Sequence, residues 1–190
     1  MQQDWFSTAG TKSYALFAQG TYDFSDTTSL TLGGRLNREK VSVLFEDNRD
    51  MLPAFTGNES DTAFTGKVSL QHFVADDVML FASFSTGYKG QAYDIASGFN
   101  QIRVDNPVGA ETSRSYELGA KGRLFDNMLS FALTGFWTDY NDFQAQSARL
   151  LPTGLQLILN NVGKARTKGV EFETTLNPVE GLNFFAVRPR

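Results

Sequence analysis

The feature that most constrains this chain is an apolar/polar alternation with a period of two. It is sustained over runs about twice the ~5–6 residues of an ordinary globular strand. Across residues 13–24, Tyr14, Leu16, Ala18, Gly20, Tyr22 and Phe24 share one face, and Ser13, Gln19, Thr21 and Asp23 contribute to the other. Leu30, Leu32, Gly34 and Leu36 then alternate with Thr31, Gly33, Arg35 and Asn37, and Phe64, Gly66, Val68 and Leu70 with Thr65, Lys67, Ser69 and Gln71. Val78, Leu80, Ala82, Phe84 and Tyr88 oppose Ser83, Ser85 and Lys89. Tyr116 to Leu124, Leu129 to Trp137 and Val170 to Leu176 repeat the rule, and an eighth run begins near Leu182. Successive side chains of a strand point to opposite faces, so each run predicts a strand with one apolar and one polar side.

The connections alternate in length. Short turns at Ser25-Asp26-Thr27-Thr28, Val74-Ala75-Asp76-Asp77, Phe125-Asp126-Asn127 and Pro178-Val179-Glu180-Gly181 carry turn-forming residues, and their starts are 49, 51 and 53 residues apart. Between them lie long polar connections near residues 46–61, 90–112 and 144–154. Short turns at one end and long loops at the other are the pattern of an antiparallel, up-and-down transmembrane β-barrel.

A length argument supports this over a soluble sandwich. A strand rising ~3.3 Å per residue and tilted ~40° crosses an apolar band ~25 Å tall in about ten residues, and aromatics belong at the band's edge. Counted from the short turns, Tyr14 lies 11 residues before Ser25, Phe64 ten before Val74, Tyr88 11 after Asp77, Tyr116 nine before Phe125 and Trp137 ten after Asn127. These five are the expected membrane girdle.

Composition removes most other function classes. The longest apolar run is near residues 78–82, far short of the ~18 residues of a spanning helix. A formal charge of −4 gives no footprint for nucleic acid. With no cysteine and one histidine, His72, thiol chemistry, Cys-based zinc sites and a Ser-His-Asp triad drop out. The chain is therefore not expected to be an enzyme, and no catalytic residue, metal site or cofactor is expected.

The polar face predicts a lumen. Arg35, Lys67, Lys89, Glu117, Lys121, Arg123, Glu171 and Glu173 all fall on it, where mixed charge lines a water-filled pore or the surface of a plug. Ligand capture is expected in the long loops, where Tyr93, Phe99, Arg103, Phe143 and Arg149 combine aromatic surface with positive charge. Such groups suit an anionic iron chelate and equally a sugar.

The residues resemble those of the TonB-dependent outer-membrane receptors. Ser13-Tyr14-Ala15-Leu16-Phe17-Ala18-Gln19 followed by Ser29-Leu30-Thr31-Leu32-Gly33-Gly34-Arg35 is similar to a barrel hairpin of that family, and Phe84-Ser85-Thr86-Gly87-Tyr88-Lys89 to one of its strand ends. Glu111-Thr112-Ser113-Arg114-Ser115-Tyr116-Glu117-Leu118-Gly119 is the strongest match. Phe136-Trp137-Thr138-Asp139-Tyr140 and Asn160-Asn161-Val162-Gly163-Lys164-Ala165-Arg166-Thr167-Lys168-Gly169-Val170-Glu171 continue it.

The resemblance implies a barrel of roughly 22 strands in the outer membrane of a Gram-negative bacterium. It also implies a plug domain, energy supplied through the TonB complex, and import of a scarce small-molecule cargo, most often an iron-siderophore. Residues 1–190 read as one incomplete barrel domain of about seven to eight strands, with the plug absent. The implied partners are outer-membrane lipid, the plug, TonB and the cargo, with no nucleic acid. The alternative is a complete eight-stranded outer-membrane barrel with a structural or adhesion role.

Overall fold

The computed structural model describes residues 5–47, 53–95, 99–151, 154–179 and 181–188. In chain order the elements are β1 (Trp5–Ser25), β2 (Thr28–Asp47), β3 (Phe55–Ala75), β4 (Val78–Lys89), α1 (Gln101–Asp105), β5 (Glu111–Leu124), β6 (Leu129–Asn141), β7 (Gln144–Leu151), β8 (Gly154–Asn161), β9 (Ala165–Val179) and β10 (Leu182–Arg188). Eight of the strands form one antiparallel sheet in the order β1-β2-β3-β4-β5-β6-β9-β10, and β7 pairs only with β8. Among the described residues β1 and β10 do not pair with each other. The sheet is an open arc, an incomplete barrel rather than a closed eight-stranded one.

The ladder register turns eight separate alternations into two continuous faces. Gly20, Leu32, Val68, Phe84, Tyr116, Trp137 and Lys168 lie side by side along one row of paired residues. The next row holds Tyr22, Leu30, Leu70, Ala82, Leu118, Gly135 and Val170. The opposite face carries Gln19, Gly33, Lys67, Ser85, Ser115, Thr138 and Thr167 in one row. A slip of one residue in any strand would mix the two sets. Cross-strand hydroxyl pairs at Thr21–Thr31 and Ser115–Thr138, both 2.9 Å, tie the polar face together. The apolar face remains open: Leu16 is 77% and Leu118 68% exposed, as suits a surface whose solvent is lipid.

Toward the long-loop end the alternation inverts. On β2, Val41, Val43 and Phe45 occupy the parity of Arg35, so the apolar side chains switch to the polar side of the arc. Lys40 and Ser42 then stand on the other side. There the segment between β4 and β5 folds back and closes a small core of Val41, Val43, Phe45, Tyr93, Phe99 and Val104, with Phe55 and Ile95 packed against it. The Phe45 and Phe99 rings meet at 5.4 Å between centroids. Val104 comes from α1, whose first turn is capped by the Asn100 side chain accepting from the Arg103 amide. Gly57, opposite Val43, lets the loop approach: a Cβ there would lie 2.9 Å from both the Tyr93 hydroxyl and a Val104 methyl.

Two expectations about the loops require correction. Residues 144–154, expected as an irregular connection, run through β7 into the β7–β8 hairpin. Its backbone ladder runs from the Gln144–Asn161 pair to the Leu151–Gly154 pair. The connection expected over residues 46–61 is shorter, since β2 continues to Asp47 and β3 starts at Phe55.

Two predictions follow from the faces and the loop core. Leu118→Arg places a charge on the lipid side and is expected to cost about 2–4 kcal/mol of stability, whereas Glu117→Arg, one residue along on the polar side, is not. Urea unfolding in lipid vesicles compares the two. The Tyr93 hydroxyl is buried with no hydrogen-bond partner among the described residues. Burial, and after it the Glu59 carboxylate, pushes its pKa above the ordinary tyrosine value. A raised folded-state pKa stabilises below the unfolded value and is lost as pH rises through the folded one, so loop packing should weaken only in alkali, above about pH 10. Tyr93→Phe is expected to abolish that alkaline loosening and to gain about 1 kcal/mol, measured by hydrogen exchange of the 90–110 backbone as a function of pH.

Candidate functional site

Two surfaces concern function: the polar face of the arc and the loop structure over its end. All eight charges expected on the polar face share its parity, as the ladder pairs show: Arg35 lies against Thr65, Lys67 against Ser85, Glu117 against Ser83, and Glu171 and Glu173 against Thr134 and Ala132. Several are satisfied locally by other residues. Arg123 pairs with Asp77 at 3.2 Å, Lys89 reaches Glu111 at 4.0 Å, and the Ser83 hydroxyl donates to Glu117 at 3.4 Å. Arg35, Lys67 and Lys121 are exposed and form no ion pair among the described residues. They leave positive charge available on the polar face.

That face is also less uniformly polar than its sequence parity suggested. Phe17, Phe81 and Phe136 share it, Phe17 opposite Arg35 and Phe136 opposite Glu117. Phe81 and Phe136 lie over the bare backbone of Gly119 and Gly169, where an added Cβ would come within 2.6 and 2.8 Å of the rings. An aromatic covering a glycine on the neighbouring strand screens a ladder that would otherwise face water. The signal in the sequence is the offset of each Phe from the apolar parity of its own strand.

The five loop residues expected to meet a ligand have separate placements. Tyr93 and Phe99 are buried in the loop core, and the Arg103 guanidinium is held by Asp94 at 3.3 Å. Phe143 packs edge-on against Tyr140 at 5.6 Å between centroids. Arg149 lies on β7, and its side chain is outside the described residues. Exposed apolar groups at this end come instead from Ile102 on α1 and from Leu150, Leu155 and Leu157 on the β7–β8 hairpin.

A polar lock that the residue types alone did not reveal joins these loops. Gln144 and Asn161 face each other at the base of the β7–β8 hairpin. The Gln144 amide donates to buried Glu111 at 2.8 Å, and its side-chain nitrogen donates to the carbonyls of Gly90 and Gly109, each at 2.8 Å. Asn161 accepts from the Gly109 amide at 2.7 Å and donates to the Gly109 carbonyl at 2.9 Å. Asp94 takes the Leu159 amide at 3.3 Å, so the β4–β5 loop and the hairpin are bound at both ends. Buried side-chain donors satisfied by backbone carbonyls fix one arrangement, because any other leaves them unpaired.

The five expected girdle residues divide. Tyr14, Phe64 and Tyr116 are exposed on the apolar face at 74, 71 and 49%. Trp137 stands next to Tyr116 and is covered by Arg166 and Lys168 at 4.3 and 5.0 Å from its ring centroid. Tyr88 is half-buried where the β3–β4 ladder ends at Lys67 and Ser85, and its hydroxyl donates to Asp61 at 3.2 Å. Thr86 takes over the ladder's role there, its hydroxyl accepting from the Gly66 amide at 2.9 Å.

The arc can therefore form part of a membrane wall that is apolar outside, charged inside and covered at one end by an ordered loop layer. Comparison with solved structures finds the same architecture. The chain is similar to the ferric yersiniabactin uptake receptor FyuA from Yersinia pestis, with a TM-score of 0.79 and 23% identity, covering 95% of this chain and 26% of that one. It is similar to the copper transporter OprC, with a TM-score of 0.71 and 22% identity over 90% of this chain and 27% of that one. The siderophore receptor PiuA from Acinetobacter baumannii gives 0.71 and 16% over 94% of this chain and 26% of that one. The chain thus spans about a quarter of the length of these proteins. Residues 2–187 match the family described as TonB dependent receptor-like, beta-barrel. The chain belongs to the TonB-dependent receptor β-barrel family, whose members are transport receptors.

Proposed function

We propose that this chain forms part of the outer-membrane barrel of a receptor that imports a ferric siderophore. The observation that carries the reading is the sidedness of the arc. A lipid-type face and a charged face are separated by one strand thickness, and Arg35, Lys67 and Lys121 leave unneutralised positive charge on the inside. Anionic chelates are drawn to such a wall, and exposed Leu150, Leu155 and Leu157 on the hairpin offer apolar contact for an organic ligand shell. The similar structures include the ferric yersiniabactin uptake receptor FyuA and the siderophore receptor PiuA, which supports this cargo class.

In this reading the polar face surrounds a plug domain, Glu117, Glu171, Glu173, Arg123 and Lys89 contribute to the wall around it, and the TonB complex supplies the energy. Girdle residues Tyr14, Phe64, Tyr116 and Trp137 hold the wall at the bilayer surface. Capture falls to the loop layer, in which Arg103, Phe143 and Arg149 remain candidate contacts, and Tyr93 and Phe99 act by holding the layer's shape.

Deletion of the gene in its host should abolish growth on one ferric siderophore as sole iron source and uptake of its radioactive iron. Dependence on copper or on haem, with iron-siderophore uptake intact, would sink the cargo assignment. Within the full-length receptor, Arg35→Glu with Lys67→Glu should weaken that uptake by about tenfold or more, the scale of losing charge-assisted contacts. Gln144→Ala removes the side-chain donor to the Gly90 carbonyl and one of the two donors to the Gly109 carbonyl, while the backbone bond to Glu111 stays. It is expected to speed proteolysis within residues 90–110 and to reduce cargo affinity, with barrel stability little changed.

A further inference from the structure

One part of the apolar face is built differently from the rest. Three rows cross β5, β6 and β9: Leu118, Gly135 and Val170; then Tyr116, Trp137 and Lys168; then Arg114, Asp139 and Arg166. Alternate side chains on a strand are ~6.6 Å apart, so the surface passes from hydrocarbon through an aromatic–cation layer to a charged layer within about 13 Å.

The lower row is notched. Gly135 sits between two branched side chains, and a Cβ added there would meet only the Leu118 carbonyl oxygen, at 3.8 Å. The notch opens into a groove of about 990 Å³ flanked by Leu80, Leu133 and Val170, with Trp137 and Lys168 at its rim. Above it, one acid faces three bases. Asp139 accepts from the Trp137 indole at 3.0 Å and is ion-paired to Arg166, which fixes the ring and one guanidinium. Lys168 and Arg114 remain exposed and form no ion pair among the described residues. Lys164 adds a further exposed cation beside them, lining the same small recess as Arg114 and Arg166.

We propose that this three-strand face is a binding site for one phosphorylated, acylated lipid of the outer leaflet, with an acyl chain in the Gly135 groove and a phosphate held by Lys168 and Arg114. The charge and the shape converge on the same molecule. A groove without the cations would fit any acyl chain, and cations without the groove would fit any anion; a group with both parts must be an anionic lipid. Trp137 forms the step between them, its face already polarised toward cations and its edge at the depth where headgroups begin. The inference rests on the outer-membrane reading of the family, and it is independent of the cargo.

The test uses the full-length receptor extracted from outer membranes in mild detergent and examined by native mass spectrometry for retained lipid. Purified diphosphoryl lipid A, its dephosphorylated form, phosphatidylethanolamine and inorganic phosphate serve as competitors. Retention of one phosphorylated lipid is expected. It should fall about tenfold or more in Arg114→Glu with Lys168→Glu, and also in Gly135→Leu, which fills the notch and leaves every charge in place. Lys12→Glu reverses a single charge on the same face but on β1, and should leave retention unchanged. Each variant is checked for the gel mobility of a folded barrel, so a failure to fold is read directly; Lys168→Gln serves as the milder substitute. The proposal is overturned if Lys12→Glu lowers retention as much as the double variant, or if Gly135→Leu leaves it intact. Equal competition by phosphatidylethanolamine or by phosphate alone would overturn it as well.

Discussion

The backbone hydrogen-bond ladder is the interaction on which everything else in this molecule depends. In a hydrocarbon solvent an unpaired amide or carbonyl costs several kcal/mol, so a chain that crosses it by strands must pair every one of them with a neighbour. The antiparallel order from β1 to β6, continued through β9 and β10, meets that demand apart from its two edges and the loop-end part of β3 beyond the Lys67–Ser85 pair, where the Thr86 hydroxyl takes the Gly66 amide. The pairing does more than satisfy the backbone. It aligns eight independent alternations so that Leu32, Val68, Phe84 and Tyr116 become neighbours, and Lys67 and Ser115 become neighbours of a different kind on the opposite side.

The side on which apolar residues lie reports the solvent at each level of the arc. Where lipid is the solvent, the apolar parity faces out and no buried core is needed. Where water surrounds both sides, the strands must bury apolar groups against something, and Val41, Val43 and Phe45 turn to meet the folded loop. The same chain thus uses two opposite patterns within β2, and the inversion marks where the apolar face of the arc ends. Lys12 opposite Lys40 on the outer parity belongs to the same boundary, since like charges are set side by side only where solvent or a counter-charge screens them.

The loop layer follows different rules from the wall. Its order comes from a few hydrogen-bonded polar groups, chiefly buried Gln144 and Glu111 and half-buried Asn161, and from a small aromatic core, not from alternation. Residues that looked suited to touching a ligand, such as Phe99, serve to hold the layer against β2 and β3. The hairpin of β7 and β8 presents its own leucines instead. Chemical type was a sound guide to which loops matter, and a poor one to which atoms face outward.

The strands, their two faces, the short-turn end and the family were all legible in the linear chain, because each depends on spacing within one or two neighbouring strands. Alternation at a period of two is a local property, and so is a turn rich in Asp, Asn and Gly. The loop core, the inversion's partner, the Gln144–Asn161 lock and the notch at Gly135 were not legible, because each joins residues from three or more segments. Gly135 is an ordinary strand glycine until Leu118 and Val170 are placed on either side of it, and Trp137 is one more interface aromatic until Arg166 and Lys168 cover its ring. Local pattern sets what each strand shows to its solvent; only the ladder's register, which acts across tens of residues, decides which side chains meet.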